Sequence, residues 1–346
     1  MKAVVIHEHG EYDVLRVQDI AAPEPGPGEV QLEVRAIGLN HLDTWVRRGV
    51  PGHAFPLPMT PGCDFSGTVS KLGPGVTGLS IGDRVFAAPG ISCGRCAKCA
   101  SGNDHLCRHY GILGETTNGG CAEFAVLPAQ NALPIPGDLD FVQAAAFPLT
   151  FLTAWHMLVA RCGLTANDNV LVHAAGSGVG SAAVQIAKFH GARVLATAGS
   201  DEKLAKATEL GADAVCNYNS DDFVAAAKAF SKRAGMDIVF EHVGEATMPG
   251  SLRTLAKGGR VVTCGATTGP KLEADLRHVF FKSLSILGST MGSRGELHLI
   301  AGLVGQGLLK PVIDRVLPLD QVAEAHAAMA GREQFGKIVL VNGEPS

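Results

Sequence analysis

The stretch VLVHAAGSGVGSAAVQIAKFHG, residues 170–191, decides the fold. VLVHAA (170–175) is an apolar run of strand composition, GSGVG (176–180) is a turn, and SAAVQIAKFHG (181–191) has the pattern of a helix. A strand that passes through a glycine-rich turn into a helix aims helix N-terminal amides at one point, where a dinucleotide pyrophosphate binds. A strict G-x-G-x-x-G ending at Gly180 needs glycine at 175 and 177, where this chain has Ala175 and Ser177. The motif is therefore weak by itself, and its strand–turn–helix setting carries the reading. In that setting Gly176, Ser177, Gly178 and Val179 offer their amides to the pyrophosphate.

The same rhythm continues downstream. RVLATA (193–198) precedes DEKLAKATELG (201–211), AVCNY (214–218) precedes a helix over 221–234, and DIVFEHV (237–243) precedes one over 245–256. RVVTCG (260–265) and SLSILGS (283–289) close the series. Strands alternating with helices of this length imply βαβ crossovers and an α/β fold with a doubly wound parallel sheet. A dinucleotide-binding domain over 151–287 is expected. In NAD-binding folds an acidic residue at the end of the second strand usually holds the ribose 2′-hydroxyl. Here Ala198 stands at that place, with Ser200 and Lys203 just beyond. A hydroxyl and an ammonium suit a 2′-phosphate, so NADP(H) is expected over NAD(H). Asp201 could reverse that preference if it turned inward.

The first ~130 residues read differently, as short strands broken by Gly and Pro: EVQLEVRAIGLN, DFSGTVSKLG and DRVFAAPG. The tail from 289 is mixed and ends in the strand KIVLVNG, which is expected to rejoin the N-terminal part. A second domain over 1–150 and 288–346 follows. Within it, ISCGRCAKCASGNDHLC gives C-x2-C-x2-C-x7-C. Cys93, Cys96, Cys99 and Cys107 can wrap one tetrahedral Zn²⁺ with no open position, a structural site that folds the loop 92–108. An iron–sulfur cluster or four free thiols are the competing readings.

The chain has 346 residues, 46% of them hydrophobic, which suffices for two packed cores. No stretch approaches the ~20 unbroken apolar residues of a membrane helix. MKAVVIHEHG reads as a strand start, not as a secretory leader. A formal net charge of −4 argues against nucleic-acid or anionic-membrane partners. Nine cysteines, four of them crowded together, do not make a secreted disulfide framework. A soluble cytoplasmic protein with a small-molecule substrate is expected.

GLNHLDTWVRRG (38–49), TPGCDFSGTVSKLGPGV (60–76) and LTFLTAW (149–155), with the cysteine loop and the glycine turn, resemble the medium-chain dehydrogenase/reductase superfamily. It contains the zinc alcohol dehydrogenases and the quinone oxidoreductases. The resemblance spans essentially the whole chain and implies a GroES-like β-rich catalytic domain, a Rossmann domain, a cleft between them, and homodimers or homotetramers. In such proteins the strand around SILGSTM (285–291) pairs with its partner across the dimer. Family alcohol dehydrogenases hold a catalytic zinc with Cys, His and Cys beside a Glu. The matching positions here are Asn40, Cys63-Asp64 after Gly62, and Leu149, while the alcohol proton relay falls on Leu42 and Trp45.

One soft ligand cannot supply the three protein ligands a catalytic zinc usually has. Without a Lewis acid, acceptors that delocalise the incoming charge are favoured: quinones, enones and enoyl thioesters. The expectation is an NADP(H)-dependent reductase of such substrates. A zinc alcohol dehydrogenase or aldehyde reductase with atypical ligands, and a non-catalytic NADP(H)-binding protein, are the alternatives. Candidate catalytic residues are Asn40, whose amide could meet the nicotinamide or a substrate oxygen, Asp43, and Thr153 beside the nicotinamide by resemblance. Asp43 reads more readily as an orienting carboxylate than as a general acid, and Asn40 and Thr153 have plain turn and helix readings. By resemblance Asp64 pairs with Lys337. By resemblance also, Val243, Gly244, Cys264 and Gly265 flank the cofactor, and Ser289, Thr290 and Met291 close over its carboxamide.

Overall fold

The computed structural model describes residues 1–343. By their contacts these fall into two units, Met1–Leu149 with the segment from Ser293 onward, and Thr150–Gly292. The last three residues of the expected 288–346 span lie outside the described residues.

The second unit is a six-stranded, all-parallel sheet. Its spatial order is Ala214–Asn217, Arg193–Ala198, Asn169–Val172, Met236–Glu241, Leu255–Thr263, Ser285–Gly288. Numbered along the chain this is 3-2-1-4-5-6, the Rossmann arrangement. Central strands are covered on both faces, so they read as continuous apolar runs: Val170, Leu171, Val172, Val194, Ile238, Val239 and Phe240 are all buried. The strand order reverses between Asn169–Val172 and Met236–Glu241, and ligands of such sheets bind outside the carboxyl ends at that point.

Several elements are shorter than their sequence pattern. The first strand ends at Val172 and its helix begins at Gly178, because Ala174 turns the chain at φ 47° and the Ser177 hydroxyl caps the helix by accepting from the Gly180 amide at 2.9 Å. The helix expected over 221–234 spans only Phe223–Phe230. Asp222 caps its start, and Lys232 and Arg233 adopt left-handed backbone after its end. The one expected over 245–256 spans Met248–Thr254, and the next strand begins early, at Leu255. Residues 288–292 belong by contact to this unit: Gly288 ends the sixth strand, and the Ser289 amide donates to the Thr263 carbonyl.

The first unit is a mainly antiparallel sheet ordered Ile313–Pro318, Lys337–Val341, Glu29–Gly38, Asp64–Leu72, Arg84–Ala87, Ala132–Pro134, with Phe124–Pro128 also on Glu29–Gly38. The tail returns to this unit through Lys337–Val341, which pairs antiparallel with Glu29–Gly38. Val30, Leu32, Ile37, Phe65, Val85 and Leu340 pack its core. Helix Phe141–Ala146 lies so close that a Cβ on Gly38 would come within 2.1 Å of the Ala145 carbonyl oxygen. The cysteine loop leaves the sheet between the short strands Gly90–Ile91 and Gly111–Ile112, which pair at its base. No helix among the described residues is long and apolar enough to cross a membrane.

Candidate functional site

Helix His41–Arg48 follows the strand Glu29–Gly38, and Asn40 sits at its N-cap. Asp43 reaches back from the first turn to accept from the Asn40 backbone amide at 2.7 Å, and its other oxygen accepts from the Gly62 amide at 3.0 Å. Both oxygens are thereby engaged with backbone, so Asp43 joins the helix start to the Gly62 turn and is not placed to donate a proton outward. Burial pushes its carboxyl up to about 6, with the two amides and Lys337 opposing.

That shift has a measurable consequence. A carboxyl raised from 3.8 to about 6 in the fold stabilises it below pH ~4, and that contribution of about 3 kcal/mol is lost as pH rises through 6. In denaturant unfolding between pH 4 and 7, the stability of the wild type relative to Asp43→Asn is expected to fall by this amount as pH rises, whatever slope the other buried groups give to both proteins.

Beside Asp43 lies a closed cluster. The Asn40 side-chain nitrogen donates to the Asp64 carboxylate at 2.9 Å, the Gly38 carbonyl at 3.1 Å and the Cys63 sulfur at 3.3 Å, while its oxygen accepts from the Lys337 ammonium at 2.6 Å. Lys337 also lies 3.3 Å from Asp64, whose other oxygen accepts from the Leu149 amide at 3.0 Å. The pairing of Asp64 with Lys337 is thus direct. All four side chains are buried. Burial, with Asp64 and Asp43 adding to it, drives the Cys63 thiol well above its ordinary range, so it is neutral. Asn40 corrects an expectation: its amide is engaged inside the cluster and does not offer itself to a nicotinamide or a substrate oxygen.

The four loop cysteines converge. Their sulfurs lie 3.5 Å apart (Cys96–Cys99), 3.6 Å (Cys93–Cys107), 3.8 Å (Cys96–Cys107) and 3.9 Å (Cys93–Cys99). Four sulfurs around one zinc at ~2.3 Å stand about 3.8 Å apart, so the set fits a tetrahedral ion. The backbone amides of Arg95 and Cys96 hold the Cys93 thiol down to about 6, toward the thiolate that binds metal. Among the described residues no other group of three or more His, Cys, Asp or Glu ligands converges in this way.

In the parallel-sheet unit, Ser177, Gly178 and Val179 are partly exposed at the start of helix Gly178–Phe189, where the first-turn amides of Gly178 and Val179 have no intrahelical acceptor. The Ser177 amide instead donates to the Ala174 carbonyl at 2.9 Å and is not free to face a pyrophosphate as expected. A Cβ on Gly180 would meet the Ala174 carbonyl oxygen at 2.4 Å, so glycine is needed where the helix closes on the strand. Beneath the turn, a buried network runs from residue to residue. Burial lowers His173 to about 4, so it is neutral. Its Nε2 donates to the Ser251 hydroxyl at 3.0 Å, and Ser251 in turn donates to Glu241 at 3.0 Å. Glu241 also accepts from the amides of Val243 (2.6 Å) and Gly244 (3.2 Å) and from the Thr247 hydroxyl (2.7 Å). The amides of Val243 and Gly244 are thus already bonded, which leaves these two residues as backbone wall at the end of the fourth strand.

Ser200 caps helix Asp201–Glu209 and accepts from the Lys203 amide at 3.4 Å. Asp201 is exposed, and its carboxylate accepts from the Asn217 side chain at 3.0 Å. Tyr218 was missed in the sequence: a Cβ on Gly199 would lie 2.6 Å from its hydroxyl, so the phenol stands at the same turn. Its only sequence signal is its place at the end of AVCNY. Thr153, in helix Pro148–Trp155, is buried, and its hydroxyl has no hydrogen-bond partner among the described residues. Cys264 and Gly265 follow the fifth strand, and burial pushes the Cys264 thiol up to about 12. Thr290 is exposed, Ser289 half-buried and Met291 buried at φ 52°. Asn40, Asp43, Cys63, Asp64 and Lys337 come together in the first unit, and Thr153 and the cofactor candidates belong to the second.

A 3-2-1-4-5-6 parallel sheet with a glycine turn at its switch point, joined in one chain to a β-rich unit with a four-cysteine loop, defines a nicotinamide-dependent oxidoreductase architecture. Residues 26–137 match the alcohol dehydrogenase GroES-like domain, and residues 178–304 match the zinc-binding dehydrogenase domain. The chain is 32% identical to quinone oxidoreductase of Rattus norvegicus, covering 99% of this chain and 98% of that one. It is 30% identical to 2-haloacrylate reductase of Burkholderia sp, covering 98% of each. A crystal structure of an NAD-dependent alcohol dehydrogenase superposes with TM-score 0.95 at 49% identity, covering 99% of this chain and 100% of that one. The chain belongs to the medium-chain dehydrogenase/reductase superfamily and is a dehydrogenase/reductase.

Proposed function

We propose that this chain is an NADP(H)-dependent reductase that passes hydride to a quinone or to an activated C=C bond such as an enone or enoyl thioester, with one structural zinc and no catalytic zinc. The observation that carries the reading is the Asn40–Cys63–Asp64–Lys337 cluster. A neutral thiol, an amide and a carboxylate already bonded to an ammonium make a poor ligand set for a divalent cation, and Lys337 repels one. Acceptors that spread the incoming charge over a conjugated system need no such ion.

Cys93, Cys96, Cys99 and Cys107 would hold the structural zinc, which fixes the loop and takes no part in the reaction. A bound nicotinamide supplies the hydride. The chain's own contribution is to hold the dinucleotide, through Gly176, Ser177, Gly178 and Val179 at the pyrophosphate and by the backbone of Val243, Gly244, Cys264 and Gly265 along its length. The unpartnered Thr153 hydroxyl is available to the ring, with Ser289, Thr290 and Met291 at the carboxamide. Ser200, Lys203 and Tyr218 offer two hydroxyls and an ammonium to a 2′-phosphate, while Asp201 is bonded to Asn217. Lys203→Glu is expected to lower kcat/KM for NADPH at least tenfold and to leave that for NADH within about threefold. A wild type that clearly prefers NADH would reject the phosphate site.

The deciding experiment pairs zinc quantification with turnover against quinones, enones and simple alcohols. One zinc per chain with quinone or enone reduction is expected; two zincs with alcohol oxidation would overturn the proposal. That second reading, an alcohol dehydrogenase using Cys63 as an atypical ligand, is favoured by the 49% identity to an NAD-dependent alcohol dehydrogenase. The reading also includes a cytoplasmic location and a homodimer or homotetramer. Ile286 is 44% exposed on the sixth strand, which pairs on one side only, and Phe280 and Phe281 are exposed on the preceding helix, a surface that suits a second copy of the chain. Sedimentation velocity measures the assembly.

A further inference from the structure

We propose that His242 is a positioning residue for the cofactor, fixing the Ser177 hydroxyl as a hydrogen-bond donor toward the pyrophosphate. This rests on the reading that the glycine turn 176–180 carries a dinucleotide.

The argument follows the protons. His242 Nε2 lies 3.0 Å from the His173 carbonyl oxygen, and a carbonyl can only accept, so Nε2 carries the ring's hydrogen. The same nitrogen stands 3.4 Å from the Ser177 hydroxyl oxygen. With its lone pair absent, Nε2 cannot accept from Ser177; that contact is the longer arm of a shared donor. Ser177 already accepts from the Gly180 amide at 2.9 Å. Two donors therefore face its oxygen, and the hydroxyl proton has to point elsewhere. Ser177 is partly exposed at the helix start, where the amides of Gly178 and Val179 also lack partners, so the proton points toward the place a pyrophosphate oxygen would take. Burial lowers the His242 ring's affinity for a second proton, which keeps it neutral with a single N–H.

The ring also has a fixed mounting. His242 directly follows Glu241, whose carboxylate is held by Ser251, Thr247 and the amides of Val243 and Gly244. The carbonyl it grips belongs to His173, itself bonded to Ser251 and Thr197. One rigid network thus ties the end of the fourth strand to the turn after the first. His242 passes that rigidity to the hydroxyl.

Two polar variants separate reach from packing. In glutamine the amide nitrogen occupies the place of Nε2, and in asparagine it falls short of it. Full-length His242→Asn is expected to weaken NADPH binding about tenfold, read by fluorescence titration, with kcat at saturating NADPH within about twofold. His242→Gln should bind within about threefold of wild type. In a Ser177→Ala background, His242→Asn should change Kd less than threefold, since the group it orients is gone. Equal binding by His242→Asn and wild type would overturn the proposal, as would a full tenfold effect in the Ser177→Ala background. Failure of the wild type to bind either NADPH or NADH would instead remove the dinucleotide reading of the turn, and the proposal with it.

Discussion

Replacing Lys337 by methionine is expected to destabilise the first unit by about 3–5 kcal/mol, the cost of leaving a buried charge without its partner. The ammonium is buried and donates to Asn40 at 2.6 Å, with Asp64 at 3.3 Å. Methionine fills a similar volume but leaves the Asp64 carboxylate with only the Asn40 and Leu149 donors and orphans the Asn40 oxygen. Burial already pushes the Asp64 carboxyl up, against the pull of Lys337. Removing that pull should make Asp64 protonate at higher pH, so the variant's deficit is expected to be largest near neutral pH and to shrink on acidification. Lys337→Met/Asp64→Asn removes the uncompensated charge and should regain a substantial part of the loss. Thermal unfolding of the wild type, Lys337→Met, Asp64→Asn and the double variant checks this, with a fall of roughly 10 °C expected for Lys337→Met. Strictly additive effects would show that the lysine serves something other than this carboxylate.

The same residues show what the chain's letters could and could not tell. The parallel sheet was legible because buried central strands and their crossover helices leave long periodic signals, and the glycine turn sat where the first signal changed period. The cysteine loop was legible because metal ligands need close spacing along the chain. Lys337 lies 297 residues from Asn40, so only resemblance linked it to Asp64, and nothing in the letters said that Asn40 would turn inward to join them. The amide expected to face a nicotinamide instead completes a buried set of charges, because Lys337, Asp64 and Cys63 surround it with acceptors and a donor. Helix lengths were overestimated where capping side chains and left-handed residues, Asp222 and then Lys232 and Arg233, end a pattern that hydrophobic periodicity continues. His242 left no periodic trace. Its meaning comes from the His173 carbonyl 69 residues away in sequence.

Cys99→Ser is expected to abolish zinc binding, taking the metal content from one ion per chain to none. The loop between Ile91 and Gly111 has little else to hold it: only Ser92, Asp104 and Cys107 are buried in it. A segment without a core stays folded when a metal supplies the missing free energy, and apparent binding energies for such sites are on the order of 10 kcal/mol at neutral pH. Serine offers a harder oxygen that stays protonated, so the tetrahedron of sulfurs 3.5–3.9 Å apart loses a corner. Arg95, Lys98 and Arg108 are exposed on the loop and become cleavable once it loosens, so trypsin should cut the variant there while the wild type resists. The loosening should also spread beyond the loop. Asp104 accepts from the Arg294 amide at 3.0 Å, and the Arg294 side chain reaches Ser92 at 3.4 Å and the Gln130 carbonyl at 3.5 Å, so the loop anchors the start of helix Arg294–Gly305. Intact tryptic resistance in a zinc-free Cys99→Ser protein would mean that these hydrogen bonds, and not the metal, fold the segment.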